Sequence, residues 1–245
     1  MSPVKKKDRP DEEIEEIAEE EVKEDASVEA TVEELKKEEV ENLLIDRNTY
    51  LAAGVHIGTK VKTIHTKPYI YRITSYGLYV INILKTDERI RVVGKLLSRF
   101  DPKKIMVCSV RRYGHKPVQK FCDVIGATAQ VGRFIPGTLT NHWLEGYKEV
   151  DVVVICDPHA DKQALSEAHI ARIPTVSLID TDDTLSGVDI GVPTNNRGRK
   201  ALSLIFFLLA RQILRERGDI PPDGQLDNVT VEDFESKIRP QVHTA

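Results

Sequence analysis

The sequence predicts a doubly wound α/β domain, in which a mostly parallel sheet is covered by helices on both faces. Three short runs of strand length, residues 104–110, 150–156 and 175–179, are largely apolar. Runs of this kind, without the alternation of a half-exposed strand, are typical of strands that are buried on both faces. Segments of helical composition separate them, which is the arrangement of right-handed β-α-β crossovers.

The predicted elements follow one another from about residue 42. Residues 69–73 and 78–83 are rich in β-branched and aromatic side chains, and the intervening 74–77 (TSYG) predicts a hairpin turn. An amphipathic helix is predicted over 85–100, where apolar side chains recur at helical spacing until Asp101-Pro102 ends the pattern. Further helices are predicted over 117–125, where Gly126 ends the helix, and over 162–171 and 198–216.

The first 41 residues differ in composition from the rest of the chain. They carry 17 Asp and Glu against 7 Lys and Arg, a net charge of −10, and they contain no aromatic side chain. Such a segment cannot bury enough apolar surface to offset its chain entropy, so we predict a disordered acidic tail over 1–41. Near its end, Thr31 and Glu34 form a capping-box pattern that allows a helix to form on docking. We expect one α/β domain over 42–222 and a loosely ordered C-terminal tail over 223–245.

A strongly basic block follows the acidic tail and is hidden by the overall net charge of −4. Residues 47–120 hold 16 Lys and Arg, and their only acidic residues are Asp87, Glu88 and Asp101, which leaves a net charge of +13. A block of this kind is the electrostatic footprint expected of a protein that binds a polyanion.

Several classes of protein are disfavoured by what the sequence lacks. Its longest apolar stretch, 201–210, has ten residues, whereas a helix that spans a bilayer needs about 20. The acidic N-terminus lacks the apolar segment of a signal peptide, so we expect a cytosolic protein. Cys108, Cys122 and Cys156 are odd in number and far apart, which excludes a disulfide framework and a cysteine-based zinc ribbon. No glycine-rich phosphate-binding loop follows a predicted strand, and we expect no cofactor.

Two groups of residues suggest catalytic chemistry, but each has a simpler interpretation. Asp180, Asp182 and Asp183 follow a strand, as magnesium-binding carboxylates do, although a polar turn after a buried strand has the same composition. Cys156, Asp157 and His159 would supply a nucleophile and base or part of a metal site, but one close pair without a second favours a structural role. His56, His65 and His115 lie in the basic block without an orienting carboxylate at a recognisable spacing. We therefore expect no catalytic residue and no bound metal.

Four basic loops are the more distinctive signal. Residues 54–60 (GVHIGTK) lead into a stretch rich in Lys and Tyr, 111–116 (RRYGHK) follow a predicted strand, 133–141 (RFIPGTLTN) are irregular, and 195–200 (NNRGRK) open the last long helix. Cations suit phosphates, while Asn, Thr and Tyr reach ribose hydroxyls and base edges. A merely solvated charged surface is the alternative, but ordinary surfaces mix charges of both signs. The candidate RNA contacts are Lys60, Lys62, Lys67, Arg72, Arg111, Arg112, Lys116, Arg133, Asn141, Asn196 and Arg197.

A series of motifs in the same order resembles the small-subunit ribosomal protein S2 family over roughly residues 43–217. The motifs are GVHIG at 54–58, KPYIY at 67–71, GLYVINI at 77–83 with Lys85-Thr86, PGTLTN at 136–141, Glu167-Ala168 before Ile173-Pro174, and VDI at 188–190 before PTNN at 193–196. The chain resembles the archaeal form of the family, because only residues 142–149 separate the TN pair from the next strand, where the bacterial form inserts a long helical hairpin.

The resemblance implies a flavodoxin-like domain that binds small-subunit ribosomal RNA and has no enzymatic activity. It implies a structural constituent of the small subunit, near the junction of head and body on the solvent side, which supports assembly and translation. The expected partners are ribosomal RNA and neighbouring ribosomal proteins, with no membrane and no small-molecule substrate. Replacing Arg111 and Arg112 by Ala is expected to weaken assembly without unfolding the domain.

Two other hypotheses remain open at this stage. The first is a metal-dependent phosphotransfer or hydrolytic enzyme that uses Asp180, Asp182 and Asp183. The second is a protein-interaction module whose acidic tail binds basic partners, which is compatible with RNA binding by the remainder of the chain. The tail would also act as an electrostatic decoy, competing with non-specific RNA for the basic block.

Overall fold

A five-stranded parallel sheet forms the centre of the fold, and a two-stranded antiparallel hairpin precedes it in the chain. The computed structural model describes residues 43–221, 224, 226 and 229–237, and the predicted acidic tail lies outside them. The hairpin consists of β1 (Ile70–Ile73) and β2 (Tyr79–Ile81), and the sheet consists of β3 (Ile105–Ser109), β4 (Thr128–Val131), β5 (Val152–Ile155), β6 (Thr175–Ile179) and β7 (Ile190–Pro193). The helices are α1 (Arg47–Ala53), α2 (Ile83–Leu97), α3 (Arg112–Ile125), α4 (Lys162–Ala171), α5 (Arg199–Arg217) and α6 (Val231–Phe234).

The strand order confirms the predicted flavodoxin-like fold. The sheet runs β4-β3-β5-β6-β7 with every neighbouring pair parallel. Numbered along the chain, this is the order 2-1-3-4-5 of flavodoxin-like proteins. The chain leaves β3 toward one side of the sheet and later returns to its other side as β5, so the topological switch point lies between β3 and β5.

The two strands at the edges of the sheet, β4 and β7, are the ones that the sequence pattern does not reveal. All four residues of β4 are half-buried, and β7 contains Gly191 and Pro193. An edge strand needs less apolar surface than a central one and tolerates proline, so neither strand has the continuous apolar run that marks β3, β5 and β6. The hairpin, the central strands and four helices appear where the sequence predicts them, with ends that differ by a few residues.

Helix α3 begins earlier than its prediction. The sequence-based start at Pro117 follows from the rule that proline is placed in the first turn of a helix, but the helix begins at Arg112 and contains Pro117. A Cβ at Gly114 would lie 2.2 Å from Ser109 Oγ and 3.1 Å from Cys156 Sγ. The absent side chain therefore lets the first turn of α3 lie directly on the ends of β3 and β5.

Helices cover both faces of the sheet, as predicted. On one face α5 packs against α2 and α3, and residues 201–213 of α5 are buried without a break. The other face is covered by α4 and by the irregular segment 134–150. Phe134, Leu139 and Val150 of that segment pack into the same apolar cluster as Met106 and Val153 of the sheet and Ala164 and Leu165 of α4.

Part of the predicted C-terminal tail packs on the domain. Thr230 and Asp233 form a capping box that begins the short helix α6. Phe234 is completely buried, with its ring 5.9 Å from that of Phe207 in an edge-to-face arrangement, and Glu235 forms an ion pair of 2.8 Å with Arg199. Residues 229–237 therefore belong to the ordered domain, while looseness of the remaining tail residues stays a prediction.

Candidate nucleic-acid interface

The loops that follow the five parallel strands all lie at one edge of the sheet, called here the carboxyl edge. In α/β sheets this edge is the usual place for ligands. Three of the four predicted basic loops begin there, after β3, β4 and β7. They contain the candidate RNA contacts Arg111, Arg112, Lys116, Arg133, Asn141, Asn196 and Arg197. The loops after β3 and β4 are also joined directly, since Gly132 N donates to Ser109 O at 2.9 Å.

At the switch point, where related folds bind ligands, two charged side chains of the protein pair across the strand ends. Arg111, after β3, forms an ion pair with Asp157, after β5. The Asp157 side chain is completely buried, whereas that of Arg111 is 32% exposed. Asp157 also accepts hydrogen bonds from His159 N at 2.8 Å and Ala160 N at 3.1 Å. This arrangement joins the two strand ends and leaves Asp157 fully engaged inside the protein.

A second buried carboxylate reinforces this junction. Asp161 accepts hydrogen bonds from Val110 N at 2.7 Å and from Asp157 N at 3.1 Å. It therefore connects the backbone after β3 with the backbone after β5. The Asp157 amide is buried and would otherwise be unpaired, which is costly.

The loop at 58–66, which precedes the hairpin, lies over the carboxyl end of β6. Thr59 Oγ1 and Thr181 Oγ1 are 2.9 Å apart, and Thr66 Oγ1 donates to Thr181 O at 2.7 Å. Thr63 adds two hydrogen bonds, from its N to Thr181 O at 3.1 Å and from its Oγ1 to Asp183 O at 2.8 Å. Threonines more than 110 residues away in the sequence thus attach this loop to the carboxyl edge.

This attachment brings the fourth predicted basic loop to the same edge. A Cβ at Gly58 would come within 2.5 Å of Thr181 Cγ2, so glycine is required for the close approach. Lys60 and Lys62, which follow it, are exposed, and Lys62 Nζ lies 5.2 Å from the centre of the Tyr79 ring. The end of the predicted basic loop 54–60, with Lys62 after it, therefore lies at the same edge as the three loops that follow the strands.

The three aspartates after β6 form a polar turn. Asp183 Oδ2 accepts hydrogen bonds from Asp180 N at 2.8 Å and from Asn196 Nδ2 at 2.7 Å. Asp180 Oδ1 accepts from Thr181 N at 2.6 Å, and Asp182 forms an ion pair with Arg197. The carboxylates thus bond to neighbouring protein groups. In the part of the chain that the structure describes, no group of three or more His, Cys, Asp or Glu could hold a metal ion.

Burial raises the pKa of three carboxyls beneath this edge, those of Asp161, Asp180 and Asp183, each to about 6. Backbone hydrogen bonds oppose the increase in each of the three. Because the unfolded pKa of Asp is about 4, folding favours the protonated form. The stability that these groups add is present below the unfolded pKa and is lost as the pH rises through about 6.

The cysteine group after β5 does not have the properties of a nucleophilic site. Cys156 is completely buried, and burial raises the pKa of its thiol far above the usual value. A reactive cysteine needs the opposite, a lowered pKa and solvent access. His159 is exposed and its backbone amide, not its ring, bonds to Asp157.

His56 of the basic block has a lowered pKa. Burial is the larger cause, and the positive charge of Arg72 is the smaller one.

Glu167 of α4 holds the segment that carries the PGTLTN motif. Its carboxylate accepts hydrogen bonds from Gly137 N at 2.7 Å, from Leu139 N at 3.1 Å and from Thr140 Oγ1 at 3.4 Å. Gln163 Nε2 donates to the same carboxylate at 2.9 Å. Two motifs that lie about 30 residues apart in the sequence are thereby one structural unit, and a helix sets the shape of the loop.

The exposure of the predicted RNA contacts separates them into three groups. Seven are exposed: Lys60, Lys62, Lys67, Arg72, Arg112, Arg133 and Asn141. Arg111, Lys116 and Arg197 are half-buried, and two of these, Arg111 and Arg197, form ion pairs inside the protein. Asn196 needs correction as a contact, because its side chain is completely buried and donates to Asp183. The Asn196 amide stabilises the polar turn after β6 and does not face an external ligand.

Trp143 is an exposed residue of the segment that covers one face of the sheet, and the sequence patterns do not single it out. It follows Asn141, and 97% of its surface is exposed. It is the only tryptophan in the chain, and its position two residues after the predicted irregular segment 133–141 was a signal that could have identified it. Among the described residues, no helix is long and apolar enough to cross a membrane.

Comparisons with known proteins agree with the resemblance seen in the motifs. Residues 144–216 match the family model described as Ribosomal protein S2. The chain is 52% identical over 196 residues to the small ribosomal subunit protein uS2 of Thermofilum pendens, and this match covers 80% of this chain and 91% of that protein. It is 51% identical over 211 residues to the uS2 of Staphylothermus marinus (86% of this chain, 96% of that protein) and 48% identical over 213 residues to that of Saccharolobus solfataricus (86% and 92%).

Proposed function

This chain belongs to the ribosomal protein S2 family, and from that membership we propose that its carboxyl edge binds small-subunit ribosomal RNA. The protein is a structural constituent of the small ribosomal subunit, and its partners are the RNA and proteins of the ribosome. The family is non-enzymatic, which removes the alternative of a phosphotransfer or hydrolytic enzyme. We place the protein in the cytoplasm, bound to the ribosome, with its neighbours in the small subunit as its protein partners.

One observation carries the assignment of the surface. Four basic loops, separated by up to about 140 residues in the sequence, converge on one edge of the sheet, and they present exposed cations there. The RNA contacts we retain are Lys60, Lys62, Lys67, Arg72, Arg112, Arg133 and Asn141, with half-buried Lys116 and Arg197 at the margin. Phosphate contacts of these cations would position the protein, and the shape of the loops would select the RNA site.

A pair of variants with the same change of charge tests this surface. Arg112→Ala with Arg133→Ala removes two exposed cations from the carboxyl edge. Arg99→Ala with Lys103→Ala removes two exposed cations that precede β3, and so lie toward the opposite edge. We expect the first pair to weaken binding to a small-subunit ribosomal RNA transcript and to lower the slope of log affinity against log salt by roughly 0.7–0.9 for each lost phosphate contact.

Sedimentation through a sucrose gradient gives the second measurement. Tagged full-length protein should migrate with the small subunit, and the Arg112→Ala, Arg133→Ala variant should shift toward the free pool. Equal binding and equal comigration of the two double variants would contradict the proposed surface.

A further inference from the structure

The most exposed large apolar side chain of the described residues is that of Trp143, which leaves 97% of its surface in solvent. An indole normally contributes a large buried area to a core or an interface. A tryptophan that the fold does not use, in the segment that covers one face of the sheet and begins at the exposed cation Arg133, is therefore a candidate contact with a ligand.

The backbone that carries Trp143 is held in one arrangement. Trp143 N donates to Asn141 Oδ1 at 3.1 Å, and Asn141 N donates to Gly137 O at 2.9 Å. The rings of His142 and Tyr147, on either side of Trp143 in the sequence, pack edge to face at 4.4 Å. The indole is thus presented by a closed turn rather than by a loose loop.

The turn that carries Trp143 is also attached to the core of the domain. Gly137 and Leu139, which precede it, are held by the Glu167 carboxylate, and Leu139 is buried. Further along, Lys148 N donates to Thr138 O at 2.8 Å. A side chain on such a support loses little conformational freedom on binding, which favours affinity.

The surroundings of Trp143 indicate a nucleobase rather than an apolar protein surface. Its neighbours Thr140, Asn141 and His142 are exposed and polar, and Arg133 at the start of the same segment is an exposed cation. A protein partner would require a contiguous apolar patch around the indole. Polar groups and cations around a single aromatic face are the usual features of sites for unpaired RNA, where bases stack on aromatic rings.

We propose that Trp143 stacks on an unpaired base of small-subunit ribosomal RNA, an inference that rests on the proposed RNA-binding function of this chain. Trp143 then makes RNA binding selective for a loop, bulge or single strand over a continuous duplex. The exposed Asn141, whose Oδ1 positions Trp143, leaves its amide nitrogen available for the same nucleotide.

Fluorescence of the full-length protein reports directly on this contact, because Trp143 is its only tryptophan. Addition of a small-subunit ribosomal RNA transcript should quench the emission in a saturable way. Trp143→Ala should weaken binding by about 5- to 150-fold, the effect of losing one stacked base, while Trp143→Tyr should stay within about threefold of the parent because it keeps an aromatic face. Ile170→Ala, which truncates another exposed apolar side chain on α4, is the control and should bind normally.

The outcomes separate this inference from the proposed function. If Trp143→Ala binds the transcript normally while Arg112→Ala with Arg133→Ala binds weakly, stacking is refuted and the RNA surface stands. If Trp143→Ala binds the transcript normally but fails to enter the small subunit, the indole contacts a protein and the inference is overturned. If neither variant binds less well than its control, the proposed RNA surface itself fails.

Discussion

The ion pair between Arg111 and Asp157 gives the sharpest prediction about stability. The sequence predicts that Arg111 is an RNA contact whose replacement by Ala leaves the domain folded, but the structure shows it compensating a carboxylate that is completely buried. Arg111→Ala would leave that negative charge without its partner. Removing one member of a buried pair costs about 3–5 kcal/mol. Because Arg111 is partly solvated and Asp157 keeps two backbone donors, we expect a smaller cost than this, about 2–3 kcal/mol.

The corresponding change in melting temperature is measurable. For a domain of this size, 1 kcal/mol corresponds to about 2–4 °C, so Arg111→Ala should lower the midpoint of thermal unfolding by about 4–12 °C. Arg112→Ala, which removes the neighbouring exposed cation, should change the stability by no more than about 0.5 kcal/mol. Circular dichroism of both full-length variants during heating gives the comparison.

A double variant tests the reason for the loss. Arg111→Met with Asp157→Asn removes both charges, and the Asn carbonyl can still accept from His159 N and Ala160 N. It should therefore recover most of the stability that Arg111→Ala loses. If Arg111→Ala and Arg112→Ala melt within about 1 °C of each other, the pair has no structural role and the reasoning is refuted. RNA binding by Arg111 should accordingly be tested only in a variant shown to be folded.

Three further predictions concern the buried carboxyls, the PGTLTN segment and the acidic tail. Because the pKa values of three aspartates are raised to about 6, the domain should gain stability as the pH falls from about 7 to 5. Asp183→Asn keeps an acceptor for the two donors of Asp183 and should reduce this gain in stability, measured by urea titration at pH 7 and pH 5. An unchanged pH dependence would show that protonation of Asp183 does not contribute to it. Glu167→Gln places an NH2 group against backbone donors of the PGTLTN segment. It should weaken binding to the ribosomal RNA transcript several-fold, while the melting temperature falls by only about 2–6 °C. Normal binding would show that the loop keeps its shape without the carboxylate. Deleting residues 1–30, which carry much of the −10 charge of the tail, should increase binding to unrelated RNA at low salt, with the difference shrinking above physiological ionic strength. The melting temperature should barely change, and equal binding at low salt would eliminate the decoy hypothesis.

The central part of the fold could be predicted from local sequence because its cause is local. The β-branched run at Val152–Ile155 and the apolar runs at Ile105–Ser109 and Thr175–Ile179 are buried on both faces, and such strands have few alternatives to a parallel sheet. The edge strands Thr128–Val131 and Ile190–Pro193 are half-exposed or contain Gly and Pro. Their pairing depends on a neighbouring strand that is distant in the sequence, and no local pattern carries that information.

The candidate site was predictable in its composition but not in its geometry. Charge counting was enough to locate the basic loops, since most Lys and Arg side chains in them stay at least partly exposed. Whether a polar side chain faces solvent or the interior depends on partners from other segments. The Asn196 side chain is buried, where it donates to Asp183. The Arg111 side chain is partly exposed but forms an ion pair with buried Asp157. Those partners meet only when the strand ends are brought side by side.

The sequence by itself determined the fold class, the resemblance to one family and the positive sign of the surface, because periodicity, composition and charge are properties of neighbouring residues. The tertiary structure decided which cations remain exposed, that Glu167 shapes the loop carrying Trp143, and that Arg111 and Asp157 pair across the switch point of the sheet. The physical reason is that hydrogen bonds and ion pairs between distant segments form only after the parallel strands align their carboxyl ends at one edge.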